Sequence, residues 1–260
     1  MQTDHLLEPL NTVARQAGAA IMAVYAEMLA DNGFEADLKQ DGSPVTRADQ
    51  AAEDLILPVL AQVAPEITVI SEENASSHSI SAPQCFFLVD PLDGTKEFLK
   101  GDGKGSFTVN IALIENGVPV LGVVYAPALD RLFYGNENGA FEVSAAGTRR
   151  LQVRDIPADG AVAVASVSHR DQQTNEWLQQ QQIEHTVAIG SSLKFCLLAA
   201  GEADVYPRFG PTMEWDTGAG DAVLRAAGGY VDLPEGGPFP YGKVEYRNGA
   251  FIAGGRFQMK

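Results

Sequence analysis

The apolar run Phe86-Phe87-Leu88-Val89 ends in two aspartates three residues apart, Asp90 and Asp93. Such a run reads as a buried strand, and acids rarely end a buried strand without a partner. Carboxylates held this close raise each other's pKa, so a bare pair is costly. A divalent cation removes that cost, and an all-oxygen donor set of this kind suits magnesium better than zinc. Pro91 stiffens the corner between the two acids by fixing φ, Gly94 allows a tight backbone, and Thr95 is suited to open a helix. Backbone amides of Gly94 and Thr95 at that helix start would offer an anion site beside the metal. Metal plus anion pocket is the equipment of phosphoryl transfer or phosphate-ester hydrolysis.

Composition narrows the substrates. The 260 residues carry a formal net charge of −16, and no Lys/Arg run interrupts it. Such a surface repels nucleic-acid polymers and anionic membranes. A small phosphorylated molecule is still admissible, because a bound cation reverses the local field. Cys85 and Cys196, the only two cysteines, both lie in apolar runs and read as buried thiols. The start of the chain lacks the basic segment and cleavage site of a signal peptide, and no apolar run approaches the ~18 residues of a membrane span. The expectation is a cytoplasmic protein; peripheral attachment to the cytoplasmic face of the inner membrane stays open. Gly101-Asp102-Gly103-Lys104-Gly105 lacks the Gly-Lys-Ser/Thr ending of a P-loop and precedes a strand, so it reads as a connection. No Gly-x-Ser-x-Gly elbow exists and the four histidines lack zinc spacing, which sets serine and zinc hydrolases aside.

The elements that must position these groups follow from periodicity. Leu6, Leu7, Leu10, Val13, Ala14, Ala17, Ile21 and Val24 recur at helical spacing, predicting a long first helix that stops before Gly33. A second helix is expected over 46–63, with Ala51, Leu55, Ile56, Val59 and Leu60 inward and Pro58 kinking or shortening it. Strands are expected at 68–71, 86–89, 107–114 and 119–125, the last two joined across Glu115-Asn116-Gly117. Short strands follow at 131–134, 139–143 and 151–153. After Arg154 the pattern alternates: strand 161–166, polar helix 171–182, apolar helix 192–200, strand 203–206 and helix 216–227, which ends at Gly228-Gly229. Two lobes are expected, a helix-plus-antiparallel-sheet lobe over 1–154 and an α/β lobe over 155–260.

Asp90-Pro91-Leu92-Asp93-Gly94-Thr95 with Phe98 resembles the first signature of the inositol monophosphatase superfamily, magnesium-dependent and lithium-sensitive phosphatases. Trp215-Asp216-Thr217-Gly218-Ala219-Gly220 resembles the second, and Ser71-Glu72-Glu73 stands where that family places another acidic ligand. Lys96-Glu97-Phe98, Gly190-Ser191-Ser192-Leu193-Lys194-Phe195-Cys196 and Tyr206-Pro207-Arg208-Phe209-Gly210-Pro211-Thr212 are similar to the bacterial 3'(2'),5'-bisphosphate nucleotidases within it. The resemblance implies a layered αβαβα fold of α+β or α/β class. It assigns one magnesium to Glu72, Asp90 and the carbonyl of Leu92, and a second to Asp90, Asp93 and Asp216. Asp49 would hold a third ion or the attacking water, although Thr46-x-x-Asp49 is equally a helix-capping pattern. Thr95 and Glu72 resemble the pair that orients and deprotonates the water. Asp216 could also cap the helix after it, and Glu73 reads as a surface carboxylate. The family usually has alanine or cysteine where Gly218 stands.

The same resemblance places a second phosphate and an adenine against His169, Ser191, Lys194 and Arg208, with Asp93, Gly94, Thr95 and Asp216 around the phosphate that is cleaved. Lys and Arg suit a phosphate that carries no metal. Each has a plainer reading: Lys194 an exposed charge, Arg208 a partner of Glu214, His169 a turn residue. The activity implied is removal of the 3'-phosphate of adenosine 3',5'-bisphosphate, a by-product of sulfate assimilation, with 3'-phosphoadenylyl sulfate as a further candidate substrate. An inositol or sugar monophosphatase and a non-catalytic nucleotide sensor are the alternatives. Oligomeric state is left open.

Overall fold

The computed structural model describes residues 3–30, 37–38, 44–45, 47–101, 105–166 and 171–259. Thr46 and His169 therefore lie outside the described residues.

Asp4–Ala30 (α1) and Arg47–Val63 (α2) flank a short antiparallel pair, Asp37–Leu38 (β1) and Pro44–Val45 (β2). A seven-stranded sheet follows: Thr68–Ser71 (β3), Cys85–Asp93 (β4), Thr108–Glu115 (β5), Val118–Ala126 (β6), Arg131–Asn136 (β7), Gly139–Ser144 (β8) and Gly147–Leu151 (β9), in that spatial order. β3 and β4 are parallel, and the rest form an antiparallel meander. Thr95–Lys100 (α3) leaves the end of β4. The second half supplies Val162–Ala165 (β10), Gln172–Gln180 (α4), His185–Ala188 (β11), Leu193–Ala199 (α5), Val205–Arg208 (β12), Thr212–Met213 (β13), Gly218–Ala226 (α6), Tyr230–Asp232 (β14), Arg247–Asn248 (β15) and Phe251–Gly254 (β16). Five of these strands make a second sheet, ordered β11-β10-β12-β16-β14.

Strand alternation decides the layers. On β4, Phe87 and Val89 join the α1/α2 core while Phe86 and Leu88 face the opposite way, into a core shared with α5 and α6. In the second sheet Val164, Tyr206, Phe251 and Ala253 face that same middle core. Ala163, Val205 and Ile252 face Trp177 and Leu178 of α4. The stack is thus helix, sheet, helix, sheet, helix. One apolar cluster runs through both sheets by way of the middle helices.

Several local expectations differ from the structure. Pro58 lies inside an unbroken α2; its ring is on the exposed side, so the missing N–H costs the buried face nothing. Leu55 is exposed as well, and the buried face of α2 is Ala48, Asp49, Ala52, Glu53, Ile56 and Leu60. β4 extends through the aspartates to Asp93 instead of stopping at Val89. The final meander strand is Gly147–Leu151, because the turn at Ala145 and Ala146 closes a tight hairpin directly after β8. β11 and the strands after residue 229 gave no strong periodic signal: β11 is exposed along its length, and the others are too short. Among the described residues no helix is long and apolar enough to cross a membrane.

α6 sits closer to the sheet than side chains would allow. A Cβ on Gly122 of β6 would fall on the carbonyl oxygen of Ala219, and one on Gly135 of β7 would come within 2.9 Å of Val223 Cα. Gly218 itself lies where a Cβ would meet Leu88 and Ala112 at 3.1 and 3.2 Å, which accounts for glycine at that position. Gly122→Ala should therefore cost about 1–3 kcal/mol through overpacking, read as a lower urea midpoint. A midpoint equal to wild type would show that α6 can shift freely.

Candidate active site

The two signature aspartates converge because β4 is irregular between them. Asp90 opposes Asn110 and Asp93 opposes Thr108, so three steps on β4 match two on β5. In a regular strand residues three apart face opposite sides; the extra residue re-aims Asp93. Pro91, with no N–H to offer the ladder, is compatible with that break. Asp90 is buried, and its Oδ1 accepts the Leu92 amide at 3.0 Å. Asp90 Oδ2 is buried with no hydrogen-bond partner among the described residues. Gly94 takes φ +94° at the head of α3, where a Cβ would press on Ser106 O and Phe107 Cα. The Thr95 hydroxyl donates to Leu92 O at 3.3 Å.

Glu72 arrives from the end of β3, its amide bound to Val89 O at 3.0 Å. Asp216 arrives from the turn before α6. The carboxylates of Glu72, Asp90 and Asp216 each place an oxygen within 4.8 Å of the others. Burial, followed by the charges of Glu72, Asp93, Asp216 and Asp49, holds the Asp90 carboxyl well above the usual carboxylate range. Asp216 is pushed up in the same direction by burial, then by Asp93 and Glu72. Asp93 is raised too, by burial, against the pull of Lys194 and the Ser192 amide. Three carboxylates facing one point, with a buried oxygen that no described residue satisfies, are the donor set of a hard divalent cation. The residues present fit such an ion.

Asp216 does not cap α6. The capping position is Thr217, without a side-chain cap bond, and Asp216 Oδ2 instead accepts the Met213 amide at 2.8 Å. Its turn is set by Glu214, which is fully buried and accepts the amides of Gly242 and Lys243 at 2.8 Å as well as the Lys243 ammonium. Glu214 is thus not the partner of Arg208. Asp49, in the first turn of α2, is buried and adds to the field at Asp90, but it does not line the cavity described next. Glu73 is half-buried rather than a surface group.

A cavity of about 220 Å³ opens at this cluster, and Glu72, Asp93, Thr95 and Asp216 line it together with the cations Lys194 and Arg208. Gly94 and Ser191 also line it. Lys194 is buried: Nζ donates to Ser191 O at 2.6 Å and lies 5.1 Å from the Tyr206 ring centre. Burial pushes its pKa down to about 8, against the attraction of Asp93. Ser191 holds a left-handed φ of +52°, which turns its carbonyl to the lysine. Arg208 is fixed by donating to Gly210 O at 3.0 Å and Pro211 O at 3.1 Å.

Sequence reasoning missed the groups that join these segments. Ser192 donates its amide to Asp93 Oδ2 and its hydroxyl to Asp216 O, both at 2.5 Å, so one serine ties β4 to the α6 turn. Asn110 Nδ2 reaches Asp93 Oδ2 at 3.4 Å. Glu53 takes the Ser71 hydroxyl just before Glu72. Asn110 could have been noticed as a lone amide inside an apolar strand; Ser192 and Glu53 carry no signal of their own.

Comparison with known proteins agrees with this geometry. The inositol monophosphatase family profile matches residues 3–257. The 3'(2'),5'-bisphosphate nucleotidase CysQ of Salmonella typhimurium is 48% identical over 237 residues, covering 91% of this chain and 94% of that protein. Among solved structures, CysQ from Bacteroides thetaiotaomicron superposes with a TM-score of 0.82 at 35% identity, over 96% of this chain and 97% of that one. Inositol monophosphatase from Anabaena superposes at 0.76 with 25% identity, over 98% and 92%. With a profile match across nearly its whole length and close relatives covered end to end, the chain belongs to the inositol monophosphatase family.

Proposed function

We propose that this protein is a magnesium-dependent phosphatase that hydrolyses the 3'-phosphate of adenosine 3',5'-bisphosphate to give AMP and phosphate, and that 3'-phosphoadenylyl sulfate is a second substrate. The observation that carries the reading is one cavity lined both by carboxylates of the acidic cluster and by two buried cations, Lys194 and Arg208. A cation clamp in the same cavity as a metal site suits a molecule with two phosphates, one cleaved and one held. A polyol monophosphate needs no such clamp. The extent of identity to the bacterial bisphosphate nucleotidases supports the same choice.

Glu72, Asp90, Asp93, Asp216 and the Leu92 carbonyl would hold two magnesium ions, with Asp49 beside them as the place for a third or for a water. Bound magnesium neutralises the phosphoryl oxygens and acidifies a water molecule. The chain's own groups do the rest. Thr95 and Glu72 orient the water, and the Glu72 carboxylate takes its proton as its oxygen bonds to phosphorus. Amides of Gly94 and Thr95 hold the non-bridging oxygens. The phosphorus–ribose oxygen bond breaks in line, and the leaving 3'-oxygen is protonated from solvent. Lys194, Arg208 and Ser191 hold the 5'-phosphate, with His169 assigned to the nucleotide on resemblance alone.

Phosphate release with magnesium should strongly favour adenosine 3',5'-bisphosphate over inositol 1-phosphate and fructose 1,6-bisphosphate. Preference for inositol 1-phosphate would keep the metal site and overturn the substrate, and silence on all three would point to a sensor.

Asp90→Asn should lower kcat by at least about a hundredfold, beyond the loss typical of groups that merely orient a ligand. In metal-free buffer near neutral pH the same variant should be more stable than wild type, since it removes one of several crowded buried carboxylates. A lower urea midpoint in chelator would contradict the repulsion argument.

Lys194→Ala should raise KM for the bisphosphate and spare a 3'-monophosphate. Because burial pushes the Lys194 pKa down to about 8, wild-type KM for the bisphosphate should rise as pH climbs above that value. The sign follows from the protonated form being the one that binds, so affinity is full below the pKa and lost above it. Lys194→Arg should flatten the climb; an unchanged profile would remove Lys194 from the clamp.

A further inference from the structure

Glu72 and Asp216 belong to segments 144 residues apart in sequence, yet their carboxylates meet within 4.8 Å. Between their backbones lies a short 3-10 turn, Ala75–Ser79. Ser77 Oγ accepts the Ser71 amide at 3.1 Å, and the half-buried His78 donates from Nε2 to Ser71 O at 2.8 Å. With its side chain held by Glu53, Ser71 is thus fixed at hydroxyl, amide and carbonyl immediately before Glu72. The same His78 ring stacks on the indole of Trp215, 4.6 Å between centres and 26° between planes, immediately before Asp216. Past the turn, Ile80 O accepts the Tyr246 hydroxyl at 2.7 Å, and Tyr246 O in turn accepts the Glu214 amide at 2.8 Å.

We propose that His78 is a positioning residue for the metal site: its hydrogen bond to Ser71 and its stack on Trp215 clasp the two segments that present Glu72 and Asp216, and so set the gap a cation must fill. The physical case is the repulsion at that gap. Two carboxylates of like charge in a partly buried site push their segments apart when no cation is bound. A ring bonded to one segment and stacked on the other resists that separation, so the site is spaced for the ion before it arrives. A group that only stabilised the turn would need one of these contacts; His78 makes both, one to each ligand-bearing segment. The inference rests on the carboxylate cluster being a metal site.

The test uses the intact chain, stripped with chelator and titrated with magnesium, read by calorimetry and by the fluorescence of Trp215 in a Trp177→Phe background, which leaves one indole. The wild-type chain should take up magnesium. His78→Ala should weaken that binding about tenfold, the scale seen when a group orienting a metal ligand is removed. His78→Gln, which keeps a donor, should recover much of the loss, and His78→Phe, which keeps the stack, a lesser part; both report even where the alanine variant fails to fold. Leu178→Ala, in the distant α4 core, should lose stability with magnesium affinity unchanged. Magnesium binding within twofold of wild type in the His78 variants would overturn the clasp while leaving the metal site standing. A wild-type chain that takes up no magnesium would overturn the metal site and the clasp with it.

Discussion

Crowding of like charge in a low-dielectric place is the constraint on which the rest of this structure depends. Glu72, Asp90 and Asp216 converge, with Asp93 and Asp49 adding to the same field, and burial makes ionisation of Asp90, Asp93 and Asp216 harder still. Left to themselves these groups would spread apart or take up protons. The scaffold therefore has to be stiff where it meets them. The aspartates are tied by hydrogen bonds: Asp90 to the Leu92 amide, Asp93 to the Ser192 amide, and Asp216 to the Met213 amide.

The layered architecture supplies that stiffness over a distance. α6 can carry Asp216 to the β4 end only because Gly122 and Gly135 let its backbone lie directly on the sheet. Glu214, fully buried among backbone amides and Lys243, anchors the turn between β13 and α6 from the other side. Ser192, at the head of α5, then bonds to both Asp93 and the Asp216 backbone. The middle helical layer is thus both core and frame, and it brings the carboxylates and the cations to one cavity.

That union also balances charge within an acidic protein. The chain carries −16 overall, so Lys194, Arg208 and a bound cation give a polyanionic ligand local attraction against a repulsive background. Holding Lys194 buried depresses its pKa but makes it a rigid, weakly hydrated donor. A flexible surface lysine would lose far more conformational entropy on gripping the same phosphate.

Much of this was legible in the chain. The apolar run ending in Asp90 and Asp93, with Pro91 and Gly94 around it, pointed to the place where the acidic cluster forms, and helical spacing gave α1 nearly to its ends. The resemblance supplied the family, the layered fold and the partners Glu72 and Asp216, which residue spacing could not link across more than a hundred positions. Only the tertiary structure decided the bulge between Asp90 and Asp93, since register is a property of two strands and not of one. It alone revealed that Asp216 does not cap α6, that Glu214 serves Lys243 rather than Arg208, and that Lys194 is buried. Local sequence specifies which groups can do chemistry, because that depends on side-chain type. Which of them meet is set by packing between distant segments, where Ser192, Glu53 and His78 act through contacts that no spacing rule encodes.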